Sequence, residues 1–345
     1  MKPSIKEPFD NWISRAPANL MLLGEHSVVY GQPALACSVD RFIEMEWQRT
    51  DDSIICIDSA LGQYSFTLTE LKNESSKLDH PKLRFVLHAL KTFAGDLEHG
   101  LQIEIRSEFS DTIGLGSSAA VLAATLVGLN QITQLNHDLA ALFALGHQII
   151  LQIQGRGSGT DLAASLNGGV LFFEPQNSNR PAQFHSIEQH PLERITLIYS
   201  GYKTSTAEVL QHVAEHWQSQ PDLLEQLYAL MGNTTRQAMQ ALTEGQFKEF
   251  FALCNVYQGL MDALGVSDAT LSQLVYQLRA RNNIQAAKIS GSGLGDCVIG
   301  FGSLDTHNAP SSQSNPLLND YLQLDVGVTP VGAHCDPLTT KRSAD

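Results

Sequence analysis

The chain has 345 residues, more than one domain usually holds, and its 43% apolar and 17% charged residues suit a packed globular protein. A net charge of −14 excludes sequence-independent binding to nucleic acid or to an anionic membrane surface, since both need a basic face, but not a small anionic substrate held by a local cluster of donors. The opening MKPSIKEPFDNW has no apolar signal core, no apolar run reaches spanning length, and Cys37, Cys56, Cys254, Cys297 and Cys335 show neither metal-ligand nor redox spacing, so a reduced, cytoplasmic enzyme is expected.

In chain order, FIEMEWQRTDDSIICIDSA and YSFTLTEL alternate and carry β-branched residues, which predicts strands. KLRFVLHALKTF has helical spacing, and LQIEIRSEF alternates again. From Ala119 to about Ile153 the pattern is helical and apolar. QGRGSGTD is then a loop, LAASL a short helix, and GGVLFFE and ERITLIYSGY are strands. After Thr204 the texture turns helical: TAEVLQHVAEHWQ, DLLEQLYALMGNTTRQAMQAL and FKEFFALCNVYQGLMDAL are amphipathic. AAKISGSGLGDCVIGF reads as strand, glycine loop, strand, and HNAPSSQSNP as a polar loop. The shift from strand-rich to helix-rich texture puts a domain boundary near residue 190, giving domains 1–190 and 191–345.

DTIGLGSSAA stands out within this pattern. Gly114 and Gly116 precede Ser117 and Ser118, and a helical run follows. A helix start leaves unpaired N–H groups and a partial positive charge, glycines let the backbone approach an anion, and a serine hydroxyl donates to phosphate or ligates Mg²⁺. Taken alone, the stretch reads either as a phosphate cradle or as a serine-capped turn. It is neither the Walker pattern nor the dinucleotide fingerprint. Nothing suggests a zinc site or a hydrolase elbow.

Three further stretches accompany it: RAPANLMLLGEHSVVYGQPALACSVD, GRGSGTDLAASLNGG and KISGSGLGDCVIG. Together, and in this order over nearly the whole chain, the four resemble the motif set of the GHMP kinases. The resemblance implies an α+β fold of two domains, ribosomal protein S5 domain 2-like then ferredoxin-like, with a cleft between them. It implies ATP and Mg²⁺ as cofactors and phosphoryl transfer to a small acceptor. GEHSVVYGQPALA is similar to the first motif of mevalonate kinases, and DALGVSDATLSQLV to the segment before the third motif in both mevalonate and phosphomevalonate kinases. GSGTDLAAS, with Gly157, and GLGDC, with Asp296, lean toward phosphomevalonate kinases. Mevalonate is therefore the expected acceptor, with phosphomevalonate as the alternative; a diphosphate decarboxylase fits GEHSVVYG poorly, and a non-catalytic ligand-binding relative is the remaining reading. The partners implied are the small acceptor and at most a second copy of the chain, with no nucleic acid and no membrane.

The same resemblance assigns roles. Asp161 would orient the acceptor hydroxyl and take its proton, although read alone an Asp there equally caps the helix that follows. Gly114, Leu115, Gly116, Ser117 and Ser118 would cradle the nucleotide phosphates, with Ser117 on Mg²⁺. Gly291, Ser292, Gly293 and Gly295 would bring a second glycine loop to the same cleft. Glu25 and His26 would contact the acceptor's hydroxyl and carboxylate; alone they read as an exposed acid and a solvated histidine in a turn. Lys203 and Thr206 would reach a carboxylate or phosphate, or be a solvated lysine and an N-cap. Of the other cations near the motifs, Arg15, Arg156 and Lys288, Arg156 alone adjoins the proposed base. Two residues depart from the mevalonate kinase pattern. Asn19 stands where a lysine is usual, and Ile150, with Gln148 and Gln152 nearby, stands where a magnesium-binding Glu is usual.

Overall fold

The computed structural model describes residues 11–73, 80–110, 113–304 and 316–338. The opening ten residues and most of the polar loop read at 307–316 lie outside these. A mixed eight-stranded sheet comprises β1 (Asn11–Leu23), β2 (Ala34–Thr50), β3 (Ile54–Ser59), β4 (Gly62–Thr67), β5 (Gly100–Ser107), β6 (Val170–Glu174), β7 (Gln183–Ile187) and β12 (His334–Pro337). Its main path runs β12-β1-β2-β5-β3-β4, with β6 branching from β2 and β7 from β6; β3 and β5 are parallel. A four-stranded antiparallel sheet follows, ordered β11 (Leu322–Gly327), β8 (Arg194–Tyr199), β10 (Cys297–Gly302), β9 (Ile284–Ser290).

The first sheet carries α3 (Ser117–Thr133) and α5 (Thr160–Asn167) against β1 and β2. Helix α3 is apolar around its circumference, as a helix buried on all sides must be. Its small residues let it sit close: a Cβ on Gly128 would lie 2.6 Å from the Trp47 ring, which itself stacks on Trp12 at 6.1 Å. Helices α2 (Arg84–Thr92) and α4 (Leu139–Gln154) complete that layer. The second sheet is covered by α8 (Phe247–Leu264) and α9 (Ala269–Arg279), with α7 (Pro221–Thr243) packed on α8. Helix α6 (Thr206–His216) begins in a capping box formed by Ser205 and Glu208.

Three expectations need correction. The apolar run from Ala119 to Ile153 is two helices, because Gln134 and Asn136 adopt positive φ (both 53°) and Asp138 caps α4 through Ala141 N–H. Helix α5 begins at Thr160 after Gly159, so Asp161 lies in its first turn and does not cap it. The chain also does not divide into two consecutive domains. The change of sheet falls between β7 and β8, but β12 returns to pair antiparallel with β1, Trp12 opposite Pro337 and Arg15 opposite His334. The last described strand therefore belongs to the N-terminal sheet.

Candidate active site

A cleft of about 630 Å³ opens where the two layers meet. Its wall includes Gly114, Gly116, Ser117 and Ser118 from the first glycine loop and the start of α3, Asp161 from α5, Lys203 from the β8–α6 connection, Thr206 at the start of α6, and Gly291 and Ser292 from the β9–β10 loop. The sequence motifs thus converge on one space from four separated segments. Gly116 is in the left-handed region (φ 64°) and turns the chain into α3, whose first residue is Ser117. The first turn of α3, with its free N–H groups, faces the cleft beside the Ser117 and Ser118 hydroxyls, an arrangement suited to phosphate oxygens.

Asp161 is open to the cleft and walled by protein on its flanks. Withdrawal from bulk water, assisted by the negative charge of Glu25, pushes its carboxyl up to about 6. Such a group is ionised at neutral pH and still a useful proton acceptor.

Glu25 and His26 lie beneath the cleft and do not line it; both are buried, which removes the exposed-acid, solvated-histidine reading. Glu25 Oε1 pairs with Lys288 Nζ from β9, while Tyr257 Oη donates to the Glu25 carbonyl at 2.9 Å. The Lys288 ammonium also lies 5.6 Å over the Tyr257 ring. Burial raises the Glu25 carboxyl above its ordinary range, against the opposing pull of Lys288. His26 is held at φ 61°, its Nε2 2.8 Å from the Ser292 carbonyl. Burial depresses its pKa, so the ring is neutral. Nε2 must then carry the proton that it donates to Ser292, leaving Nδ1 as an acceptor. Glu25 Oε2 and His26 Nδ1 are both buried without a partner. Two acceptors suit hydroxyl protons and not a carboxylate, so the expected carboxylate contact at His26 does not fit this tautomer.

The cations that line the cleft are Arg84, Arg156 and Lys203. Lys203 pairs with Asp296 at 2.9 Å, and the other Asp296 oxygen accepts the Gly114 N–H at 2.9 Å. Arg156 reaches the Ala207 carbonyl at 3.3 Å across the mouth. Arg15 instead pairs with Glu44 on neighbouring strands. Leu115, Gly293 and Gly295 do not line the cleft. Leu115 is core, a Cβ on Gly293 would meet the Val266 carbonyl at 2.3 Å, and one on Gly295 would meet the Tyr202 carbonyl at 2.9 Å. These glycines shape the second loop by close backbone packing. Ile150 and Gln154 line the cleft, whereas Gln148 and Gln152 do not.

Lys288, Asp296 and Arg84 gain their importance only in three dimensions. Lys288 had one visible signal: a lysine in the otherwise apolar AAKIS strand needs a buried partner. Asn19 is also buried, 2% exposed, so a charge-stabilising contact is not its role here.

The comparisons agree with this geometry. The GHMP kinase N-terminal domain family matches residues 84–169 and the GHMP kinase C-terminal family residues 238–311. The mevalonate kinase of Pyrococcus abyssi is 31% identical over 301 residues, covering 83% of this chain and 87% of the relative. Among solved structures, the Methanococcus jannaschii mevalonate kinase is similar with a TM-score of 0.74 at 22% identity, covering 92% of this chain and 98% of the other. The Streptococcus pneumoniae phosphomevalonate kinase in complex with phosphomevalonate and AMPPNP gives 0.70 at 18% identity, covering 91% and 99%. With a helix start, a carboxylate open to the cleft and a second glycine loop around one space, and with such identity over most of its length, this chain belongs to the GHMP kinases, a family of ATP-dependent small-molecule kinases.

Proposed function

We propose that this chain transfers the terminal phosphoryl group of ATP to the primary hydroxyl of mevalonate. The observation that carries the reading is that Asp161, with its raised pKa, faces the same cleft as the helix start at Ser117 and Ser118. Phosphoryl transfer needs mainly positioning and neutralisation of charge. The α3 N-terminus and the two serines hold the donor phosphates; Asp161 orients the acceptor hydroxyl and takes its proton as the bond to phosphorus forms. Arg84 and Arg156, with Lys203 held on Asp296, are the cations of the cleft for the acceptor's carboxylate and for the donor phosphates, while Glu25 and His26, buried beneath the cleft, support its floor.

Mg²⁺ fits as a companion of the nucleotide. Among the described residues no cluster of three or more acidic, histidine or cysteine side chains could hold a metal, and Ile150 presents an apolar wall. The protein ligand on offer is the Ser117 hydroxyl, with the phosphates supplying the rest. The cation, when bound, neutralises charge on the transferring group. No helix among the described residues is long and apolar enough to cross a membrane, and five free cysteines suit work in a reducing cytoplasm.

Mevalonate is favoured over phosphomevalonate by the 31% identity with a mevalonate kinase and by charge. Lys203 is already paired with Asp296, and the phosphate that phosphomevalonate adds would have to share Arg84 and Arg156 with the donor phosphates and the acceptor carboxylate. The test is ADP release with mevalonate, phosphomevalonate, galactose and homoserine. The expected result is highest kcat/KM for mevalonate, changed by less than about tenfold in Arg156→Ala because that side chain is exposed. A wild-type preference for phosphomevalonate that disappears in Arg156→Ala would assign the second kinase step instead.

A further inference from the structure

Asn19 sits at the junction of three functional pieces. It belongs to β1, and its main-chain N–H donates to the Leu115 carbonyl of the phosphate loop at 3.1 Å. Its side-chain Nδ2 donates to Ser165 Oγ at 2.9 Å and to the Gly116 carbonyl at 3.4 Å. Ser165 Oγ passes its own proton to the Pro17 carbonyl at 2.8 Å, so the hydroxyl is fixed as an acceptor toward Asn19. Ser165 stands on α5 one turn after Asp161. The loop is seated on the amide with no spare room: a Cβ at Gly116 would lie 2.2 Å from Asn19 Nδ2.

A carboxamide suits this place for reasons that a lysine or a leucine does not meet. Two N–H donors on one nitrogen meet two acceptors on different elements. The group is neutral, so burying it requires no counter-ion. It is also short and planar, which fixes the separation of the elements that it joins.

We infer that Asn19 is a positioning residue for phosphoryl transfer: its carboxamide sets the spacing between the phosphate loop and the helix that carries Asp161. It touches neither nucleotide nor acceptor. It acts through Gly116 on the donor side and through Ser165 on the acceptor side. The inference rests on the roles proposed for Asp161 and for the loop.

The two arms separate in experiment. Ser165→Ala removes one oxygen, breaks the link to α5 and keeps the link to Gly116. Its expected result is a kcat lower by about tenfold, since the helix loses the two buried hydrogen bonds of its registration, from Asn19 and to the Pro17 carbonyl, with an unchanged Kd for a non-hydrolysable ATP analogue measured by calorimetry. Asn19→Ala breaks both links. It is expected to lower kcat by about 10²-fold, the effect of a misplacement near 1 Å, and to weaken the analogue several-fold as well. Asn19→Asp keeps the shape and replaces donors by acceptors facing the Gly116 carbonyl; it should resemble Asn19→Ala and not wild type.

Wild-type kcat and Kd in folded Asn19→Ala would overturn the inference. So would a Ser165→Ala variant whose kcat and Kd fall together, or one in which only the melting temperature moves. If Asn19→Ala does not fold, Ser165→Ala alone decides between these outcomes. A wild-type protein that binds the analogue but shows no turnover with mevalonate sinks the proposed acceptor, while the Kd of Asn19→Ala still reads the loop arm.

Discussion

Asp161→Asn should lower kcat by about 10²–10⁴-fold, the usual contribution of a general base, while the Kd for a non-hydrolysable ATP analogue stays within a few-fold of wild type. The amide keeps the shape of the carboxylate but cannot take a proton. The donor phosphates, held at the other side of the cleft by α3 and its serines, do not depend on it. Because the carboxyl is pushed up to about 6, wild-type kcat should fall as pH drops through that value, and the residual activity of Asp161→Asn should lack this acidic limb. Stability moves the other way. A carboxyl with a raised folded-state pKa favours folding in its protonated form, and that contribution is lost as pH rises through about 6. Asparagine removes the penalty of ionisation, so above this pH the variant should melt at or above the wild-type temperature. A variant with near-normal kcat and a lowered melting temperature would show Asp161 to be a structural residue of α5.

Lys288→Met should destabilise the folded chain by about 3–5 kcal/mol, the range for breaking a buried ion pair by removing one partner. Lys288 is fully buried in β9, and its partner Glu25 is nearly so on the loop after β1. Removing the ammonium strands a carboxylate that burial already disfavours. The pair joins the two sheets under the cleft, so the loss should appear both as a lower urea midpoint and as a looser Glu25–His26 loop. Adding Glu25→Gln to Lys288→Met should recover much of the stability, because the uncompensated charge is then gone. Chemical denaturation of the two single variants and the double variant checks this. Additive losses would show that the pair contributes packing and not charge compensation.

Most of the scaffold could be read from period and composition. The alternation of FIEMEW and LQIEIRS, the helical spacing after Thr204 and the Gly-Ser stretches are local signals with local causes. The break at Gln134–Asp138 was hidden because the flanking helices are both apolar, so the hydrophobic pattern runs on through it while the turn is made by positive φ at polar residues. The cleft itself was legible as a set of motifs but not as a set of contacts. Nothing in the local sequence tells that Glu25 turns inward to Lys288, that Asp296 ties Gly114 to Lys203, or that Asn19 reaches α5. Each joins residues far apart in the chain, and each depends on how two layers meet. The same holds for β12, too short and polar to announce itself as a strand.

That last strand has a bearing on biosynthesis. A chain made from its N-terminus completes β1 early, yet the edge of β1 that β12 covers must stay bare until every strand of both sheets before β12 has left the ribosome. An unpaired strand edge is a site for wrong partners, including a neighbouring nascent chain. The N-terminal sheet therefore reaches its full pairing only after β12 has been made, and a message truncated after β11 would yield a protein with both glycine loops encoded but with one flank of its first sheet open.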